Sequence, residues 1–288
     1  MSRKKPTVLI DLSGTVHVDD APIEGSVEAV QMLRDNGFTI RFLSNTTKHS
    51  SSTLIRSLRA MGLSIHLSEL FTSLSAARDL VASWPGAKPM LFLEDDARAE
   101  FEAALGGSGT GAATEVAVGE RKTDGSASAP AAQSDQPYSC VVVGLAPSMF
   151  EYENLTRAMN VLLAGGKLVA IHRGKYFART TGLALGPGPF VSLLEPFAST
   201  PPTLVGKPNP AFFHLALASV PCAPEDAVMF GDDVRDDVQG AAAVGVRGFL
   251  VRTGKYRPGD EKEVGGVGRC WRDLKEGVEW LVREYGGN

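Results

Sequence analysis

The sequence predicts an α/β fold in which helices cover a parallel sheet. Short apolar runs alternate along the chain with segments whose apolar residues recur at helical spacing, an order typical of parallel strands joined by helices. The apolar runs are uninterrupted, as in Val8-Leu9-Ile10, which is typical of strands buried on both faces. Several of these runs end directly in polar residues, and open α/β sheets place their ligands at those carboxyl ends.

The N-terminal part of the chain shows the alternation clearly. Residues 7–10 form the first predicted strand. Residues 27–36 repeat apolar side chains at helical spacing, and Gly37 ends that helix. Residues 39–43 form the next predicted strand and residues 51–61 the next helix. This order predicts adjacent parallel strands.

The rest of the chain continues the pattern around one anomalous stretch. Residues 106–137 are rich in Gly, Ala, Ser and Thr and carry almost no large apolar side chains. Such a segment cannot bury enough surface to offset its ordering entropy, so we expect most of it to be a disordered insertion. Residues 183–189, punctuated by Gly and Pro, are expected to be a connector. The further predicted strands are 89–94, 140–144, 167–171, 203–205, 227–230 and 248–251, and the further predicted helices are 75–84, 152–164, 190–198, 210–217, 236–244 and 271–285.

Composition limits the classes of function. The 288 residues include 29 basic and 33 acidic side chains, a net charge of −4, which gives no reason to expect nucleic acid or a membrane surface as a partner. No apolar run approaches the roughly 20 residues of a membrane span, and the basic N-terminus lacks the apolar region of a secretory signal. Cys140, Cys222 and Cys270 are widely spaced without a CxxC pair, so we expect free thiols and a cytoplasmic protein.

Polar residues end four of the predicted strands. If all four strands lie in one parallel sheet, these ends converge on one edge. Three carboxylates brought together there would repel one another, and a hard divalent cation relieves that repulsion. Carboxylates with few nitrogen or sulfur donors select Mg²⁺, while a lysine and a serine hydroxyl suit a phosphoryl group. The strand-end residues are Asp11, then Ser44 and Asn45, then Lys207, then Asp232 and Asp233, with Asp236 and Asp237 following.

Each of these residues alone also has a structural explanation. Asp11 could start a turn, and the pair Asp232-Asp233 after a glycine could cap a helix. Lys207 before a proline could be a solvated loop lysine, and Ser44-Asn45 could be a turn. The ordered combination of four strand ends favours a site over these alternatives.

The same residues carry a resemblance to a known family. Asp11-Leu12-Ser13-Gly14-Thr15, Ser44-Asn45, Gly206-Lys207-Pro208 and Gly231-Asp232-Asp233 with Asp237 resemble, in order and placement, the four motifs of the haloacid dehalogenase superfamily. The resemblance implies a Rossmann-like parallel core, residues 1–75 and 184–288, and an inserted α/β cap of the C2 type, residues 76–183. The cap would close over the strand ends and exclude water.

The resemblance also implies a role for each matched residue. Asp11 would be the nucleophile, forming an aspartyl-phosphate, and a Mg²⁺ ligand together with the backbone carbonyl of Ser13 and the carboxylate of Asp232. Ser44 and Asn45 would hold the transferring phosphoryl group, and Lys207 would neutralise nucleophile and phosphate. Asp237 would orient metal-bound water, while Asp233 and Asp236 would have supporting or capping roles. The implied reaction is Mg²⁺-dependent hydrolysis of a small phosphorylated substrate.

Ser13 departs from the commonest pattern of the superfamily, which has a second aspartate at this position as general acid and base. A serine hydroxyl has no carboxyl proton to give, and loss of a general acid typically costs about 10²–10⁴-fold in rate. We therefore expect a preference for labile phosphoryl compounds: phosphoramidates, pyrophosphate, and acyl or aryl phosphates. The sequence does not indicate which group activates water to hydrolyse the aspartyl-phosphate.

Ser13 also motivates an alternative function, a catalytically weak protein that binds a phosphorylated ligand and regulates. Hydrolytic dehalogenation is less well supported, because that chemistry does not require a Mg²⁺ site built from Asp232 and Asp237. His172, at the end of a cap strand, could face the substrate or be structural. The resemblance further implies a homodimer formed through the cap.

Overall fold

The computed structural model describes residues 4–106, 138–266 and 268–286. The predicted disordered insertion, 106–137, lies outside the described residues apart from Gly106. The strands are β1 (Thr7–Asp11), β2 (His17–Val18), β3 (Ala21–Pro22), β4 (Ile40–Ser44), β5 (Leu70–Thr72), β6 (Pro89–Phe92), β7 (Cys140–Val143), β8 (Lys167–Ala170), β9 (Tyr176–Arg179), β10 (Gly182–Leu185), β11 (Thr203–Leu204), β12 (Ala227–Gly231), β13 (Arg247–Val251) and β14 (Arg269–Trp271). The α-helices are α1 (Ser26–Asp35), α2 (Ser51–Ala60), α3 (Ser73–Ala82), α4 (Asp95–Ala104), α5 (Tyr152–Leu163), α6 (Gly188–Leu194), α7 (Pro210–Ala218), α8 (Gly240–Ala242) and α9 (Leu274–Tyr285).

The first sheet is parallel and joins both ends of the chain. Its six strands lie in the order β14-β13-β12-β1-β4-β5. β1 lies between β12 and β4, with Ile10 opposite Phe230 and Asp11 opposite Leu43. The ends of β1, β4 and β12 therefore meet at one edge, as the α/β prediction requires, and that prediction is confirmed.

The second sheet is also parallel, with its four strands in the order β11-β8-β7-β6. Two antiparallel hairpins accompany the sheets, β2 with β3 and β9 with β10. The β9–β10 hairpin occupies part of the stretch expected to be a connector at residues 183–189. Among the described strands, β9 and β10 pair only with each other, and no described residue of either is buried, so no buried apolar run marked them as strands.

The prediction that all four site-bearing strand ends lie in one sheet is wrong for Lys207. The strand before Lys207, β11, pairs with β8 of the second sheet, with Thr203 opposite Val169 and Leu204 opposite Ala170. The residues after β11 continue the pairing with the second sheet, since Gly206 N donates to Ile171 O at 2.7 Å. The second sheet therefore extends beyond the predicted cap limit at residue 183, and its edge strand carries Lys207 to the first sheet.

The core consists of three apolar layers. Alternate residues of β1 point to opposite faces, so Val8 and Ile10 pack under α1, α2 and α9, while Leu9 faces the other way. Leu9 belongs to a cluster that also contains Val142 and Val169 of the second sheet, which joins the two sheets through buried side chains. The far face of the second sheet packs against α5 and α6. Among the described residues, no helix has both the length and the apolar character needed to cross a membrane.

Candidate active site

Three buried aspartates form the centre of the site. Asp11 is the last residue of β1, Asp232 follows β12, and Asp237 lies in the π-helix Val234–Gln239. One carboxylate oxygen from each lies within 4.8 Å of the others. The parallel pairing of β1 with β12 places the first two side by side, and the π-helix, which replaces the start of the helix predicted at 236–244, turns the third toward them.

Lys207 joins two of these carboxylates. Its Nζ lies 2.5 Å from Asp11 Oδ1 and 2.6 Å from Asp237 Oδ1, and its side chain is only 2% exposed. Burial acts to lower the pKa of Lys207, but the charges of Asp11 and Asp237 outweigh burial and hold the pKa above its usual value. Lys207 is therefore a fixed positive charge beside Asp11.

The aspartates carry more negative charge than the neighbouring lysines balance. Burial raises the pKa of Asp237 to about 7 against the opposing charge of Lys207, with Asp11 and Asp233 adding to the rise. Burial likewise raises the pKa of Asp232 well above its usual value, although Lys255 acts to lower it. A cation placed among these carboxylates would offset both the cost of burying their charges and their mutual repulsion.

The carboxylates of this cluster are suitable ligands for such a cation. Asp11 Oδ2 and Asp232 Oδ1 are buried and have no hydrogen-bond partner in the described parts of the chain. Buried polar atoms are normally satisfied, so two unpartnered carboxylate oxygens in one cluster are suited to bind a cation. An all-oxygen donor set favours Mg²⁺ or Ca²⁺ over softer metals.

Two glycines make room for Asp232. A Cβ on Gly14, which has φ +98°, would lie 2.1 Å from Asp232 Oδ2, and a Cβ on Gly254 would lie 2.1 Å from the same atom. The two loops are tied together by Thr253 Oγ1, which donates to Gly14 O at 2.5 Å. Any side chain at either glycine would displace the Asp232 carboxylate.

We expect Gly14→Ala to lower the affinity for a divalent cation about 10–100-fold, as changes that reorient metal ligands do. Calorimetric titration with Mg²⁺ measures this affinity. Gly165→Ala is the matched control, because Gly165 has φ +92° with nothing within 4 Å of its Cβ position. Equal affinity in the two variants would contradict the placement of Asp232 as a ligand.

Asp233 and Lys255 support the cluster. Asp233 Oδ1 accepts the N–H groups of Arg235 and Asp236 at 3.0 Å, so Asp233 caps the π-helix. Lys255 N donates to Asp232 Oδ2 at 2.7 Å, and its Nζ lies 3.3 Å from Asp233 Oδ2. The sequence reasoning missed Lys255, although the loop after β13 ends at the same edge and the strand-end argument applies to it equally.

The loop after β4 brings Ser44 and Asn45 to the site. Ser44 Oγ accepts Thr46 N–H at 3.0 Å, which leaves its hydroxyl proton free to donate. The side chain of Asn45 bonds the main chain of Lys207 twice, with Nδ2 donating to Lys207 O and Oδ1 accepting Lys207 N–H, both at 3.0 Å. The amide of Asn45 therefore positions Lys207, a role that the family resemblance did not imply.

A cavity of about 270 Å³ opens in front of these groups. Asp11, Ser13, Ser44 and Lys207 line its inner wall, and Tyr176 and Phe177 of the β9–β10 hairpin line its outer wall. The hairpin is held over the cavity at its tip, where Thr180 N and Oγ1 donate to Asp19 Oδ2 at 2.9 and 3.1 Å. Sequence reasoning missed these contacts, since hairpin and loop are more than 150 positions apart, with the Asp19–Thr180 pair separated by 161.

His172 also lines the cavity. It follows Ile171, whose carbonyl accepts Gly206 N–H, so the second sheet places it beside Lys207. Burial and the charges of Lys255 and Lys207 lower its pKa to about 3, so the ring is neutral. Of the two roles considered for His172, the structure supports the one that faces the site.

Comparison with known proteins identifies the family. A family model described as "Haloacid dehalogenase-like hydrolase" matches residues 8–105, and a second, described as HAD-hydrolase-like, matches residues 204–275. The human haloacid dehalogenase-like hydrolase domain-containing protein 2 is 44% identical over 262 residues, 91% of this chain and 90% of that protein. The chain belongs to the haloacid dehalogenase-like hydrolase family. The matched residues include every motif on which the resemblance in the sequence rests.

More distant relatives of this haloacid dehalogenase-like hydrolase carry the names of phosphatases. Human phospholysine phosphohistidine inorganic pyrophosphate phosphatase is 33% identical over 88% of this chain and 85% of its own. The 4-nitrophenylphosphatase of Thermotoga maritima superposes with a TM-score of 0.77 at 22% identity, covering 96% of this chain and 97% of that one. A glycerol phosphate phosphatase from Mycobacterium tuberculosis, solved with calcium, gives 0.72 at 24% identity, covering 94% and 74%. The last two show the shared fold.

Proposed function

We propose that this hydrolase is a Mg²⁺-dependent phosphatase that acts through an aspartyl-phosphate on a small phosphorylated substrate. The observation that carries the proposal is Asp11, a buried carboxylate held at 2.5 Å by Lys207 beside two further aspartates. A strand-end carboxylate fixed by a lysine and facing a cavity is arranged for nucleophilic attack. Relatives named as phosphatases support the same reaction class.

The metal site would be formed by Asp11, Asp232 and the main-chain carbonyl of Ser13, with Asp237 alongside. A bound Mg²⁺ supplies charge stabilisation to the phosphoryl oxygens and offsets the charge of the carboxylates. The two unpartnered oxygens, Asp11 Oδ2 and Asp232 Oδ1, support this assignment.

The protein groups would divide the remaining work. A carboxylate oxygen of Asp11 attacks phosphorus, and the bond to the leaving group breaks with its electron pair on the leaving atom. Lys207 holds Asp11 in line and neutralises charge on the phosphoryl oxygens, and Asn45 fixes the main chain of Lys207. Ser44 donates its free hydroxyl proton to a phosphoryl oxygen.

The part of the chain that carries the second sheet would act as the cap. The β9–β10 hairpin covers the cavity, and closure of such a segment excludes water from the reacting groups. The cavity of about 270 Å³ supports a substrate with a small leaving group. Ser13 in place of a carboxylic acid supports a preference for leaving groups that depart readily, as in phosphoramidates, pyrophosphate and aryl phosphates. A homodimer through the cap and a cytoplasmic location stay predictions.

A substrate panel with and without metal tests the proposal. We expect turnover of pyrophosphate, a phosphoramidate and 4-nitrophenyl phosphate in Mg²⁺, loss of turnover in EDTA, and recovery when Mg²⁺ is restored. Alkyl phosphates should react at least about tenfold more slowly, because their leaving groups need protonation by a general acid. Such an acid typically contributes about 10²–10⁴-fold to the rate. Faster hydrolysis of alkyl phosphates would contradict the proposed preference, and activity on halo-acids that survives EDTA would contradict the reaction class.

A further inference from the structure

Ser13 leaves a chemical requirement unmet. Hydrolysis of an aspartyl-phosphate needs a group that takes a proton from the attacking water, and the serine hydroxyl is a poor acceptor for it. The residues lining the cavity must then supply a proton acceptor with a free lone pair. Three buried acceptors of this kind surround the site, Asp11 Oδ2, Asp232 Oδ1 and His17 Nε2. The first two belong to the metal cluster, which leaves His17.

His17 is fixed in the tautomer that accepts at Nε2. Its Nδ1 lies 2.8 Å from Asp19 O, and a carbonyl oxygen can only accept, so Nδ1 carries the hydrogen. The lone pair of the imidazole then lies on Nε2. The side chain is 9% exposed, lines the cavity, and Nε2 has no hydrogen-bond partner among the described residues. Because buried polar atoms are normally satisfied, the unpartnered Nε2 indicates that a ligand supplies its donor.

The turn after β1 places the main chain of His17 beside that of Ser13. Gly14 N donates to His17 O at 2.7 Å, and His17 N donates to Leu12 O at 3.1 Å, so the chain folds back on itself between the two residues. His17 thus occupies the same turn as the position that carries the second aspartate in the superfamily's commonest pattern.

Two other histidines line the cavity. His49 is exposed and lies 3.9 Å from Asp96 Oδ2, and His172 is excluded by its hydrogen bond. Gly174 N–H can only donate, and it lies 3.2 Å from His172 Nδ1, so that nitrogen accepts and Nε2 carries the hydrogen. Burial, and then the charges of Lys255 and Lys207, lower the pKa of the ring and oppose the addition of a second proton. His172 can donate a hydrogen bond to the substrate but cannot take a proton from water at Nε2.

Three further buried or partnered carboxylates of the cavity wall are occupied, whereas Asp20, which also lines the cavity, is an exposed surface carboxylate. Asp236 pairs with Arg235 at 2.9 Å, and Asp237 accepts from Lys207 and from Asp233 N. Asp19 accepts both donors of Thr180. Each of these would have to give up a partner before it could act on water.

We infer that His17 is the proton-transfer residue of this site, an inference that rests on the proposed phosphatase function. Water attacks the phosphorus of the aspartyl-phosphate, and its proton passes to His17 Nε2. The bond from phosphorus to the Asp11 oxygen breaks, and its electron pair restores the carboxylate. The ring then releases that proton to solvent, so ring and carboxylate return to their starting states.

Asp19 links this ring to closure of the hairpin. Its carbonyl holds His17 Nδ1, its carboxylate holds the hairpin tip at Thr180, and its backbone is left-handed, with φ +49°. A non-glycine residue in that region is uncommon and needs surrounding contacts to hold it. The hydrogen bonds from Thr180 are among these contacts. The hairpin that covers the cavity therefore helps to hold Asp19, and through it the orientation of the His17 ring.

The test is His17→Asn, in which the amide nitrogen can replace Nδ1 as donor to Asp19 O while nothing replaces Nε2. With 4-nitrophenyl phosphate we expect a burst of about one nitrophenolate per enzyme, then a steady-state rate at least about 10²-fold below that of the native protein. The burst arises because formation of the aspartyl-phosphate from a good leaving group survives, while its hydrolysis does not. His214→Asn, on the exposed face of α7, is the matched control and should keep the native rate.

Separate readouts distinguish this role from a structural one. Mg²⁺ affinity of His17→Asn should match that of the native protein. Ser13→Asp added to His17→Asn should abolish the burst and restore at least about tenfold of the steady-state rate, because it supplies a new proton acceptor. If His17→Asn does not fold, His17→Gln, which keeps a polar atom near Nε2, provides the same measurement.

Native turnover in His17→Asn, or a loss of rate without a burst and without recovery by Ser13→Asp, would overturn the assignment of His17. Failure of the native protein to hydrolyse any phosphoryl substrate would instead overturn the proposed function. The two failures are distinct, since the first is observed only when the native protein is active.

Discussion

Asp11→Asn will reduce turnover of 4-nitrophenyl phosphate in saturating Mg²⁺ by about 10⁴–10⁶-fold, the range seen when a catalytic nucleophile is removed. The amide has the shape of the carboxylate but does not attack phosphorus. Acid quenching should trap a phosphorylated protein from the native chain and none from the variant. The fold should persist, because Lys207 keeps Asp237 as a partner and one negative charge leaves the cluster.

The control for Asp11→Asn is Asp79→Asn, the same change at a side chain that is 69% exposed on α3. We expect native turnover from this control. If Asp11→Asn keeps a tenth or more of the native rate, Asp11 is not the nucleophile. The alternative of a protein that binds and regulates without catalysis then becomes the better description.

Lys207→Met will remove activity and also destabilise the protein by about 3–5 kcal/mol, the usual result of removing one partner from a buried ion pair. Methionine fills much of the same volume, so the loss arises from charge: Asp11 and Asp237 remain buried with no cation between them. Urea unfolding in EDTA measures the change in the free energy of unfolding without interference from bound metal.

A second substitution tests whether charge is the cause. Lys207→Met combined with Asp237→Asn removes one of the two unpaired carboxylates and should recover part of the lost stability, although not the activity. Lys262→Met, at an exposed lysine, is the control and should stay within about 0.5 kcal/mol of the native protein. A double variant no more stable than Lys207→Met would show that lost packing, rather than unpaired charge, destabilises the site.

The parts of the site that follow single buried strands could be predicted from the sequence. Asp11 and Asp232 come directly after uninterrupted apolar runs, and any parallel sheet that contains both runs places these residues at one edge. Ser44 follows the same rule. For such residues the local sequence pattern alone predicts the position in the fold, because the strands of a parallel sheet end at the same edge whatever their order.

The parts that depend on distant pairing could not be predicted. β11 is two residues long, and nothing within it indicates that it pairs with β8 rather than with the first sheet. The contact of Asp19 with Thr180 depends on a hairpin whose strands are mostly exposed, so no buried face indicated it. The tautomer of His17 depends on the hydrogen bond from Nδ1 to the carbonyl of Asp19, a residue with a left-handed backbone. The sequence pattern predicts neither that backbone conformation nor the tautomer.

The division of the first sheet between the two ends of the chain has a consequence for biosynthesis. β1 is made first, yet one of its two neighbours, β12, is among the last strands to leave the ribosome, and Lys207 lies 196 positions after the carboxylate it pairs with. Until β12 has been synthesised, β1 lacks one of its two neighbouring strands, and Asp11 lies at an unpaired strand edge. Contacts of such long range form slowly and leave strand edges open to wrong partners. The aspartate cluster is therefore completed only with the final quarter of the polypeptide, and a chain that ended before Lys207 would carry Asp11 without the lysine and the two aspartates that surround it.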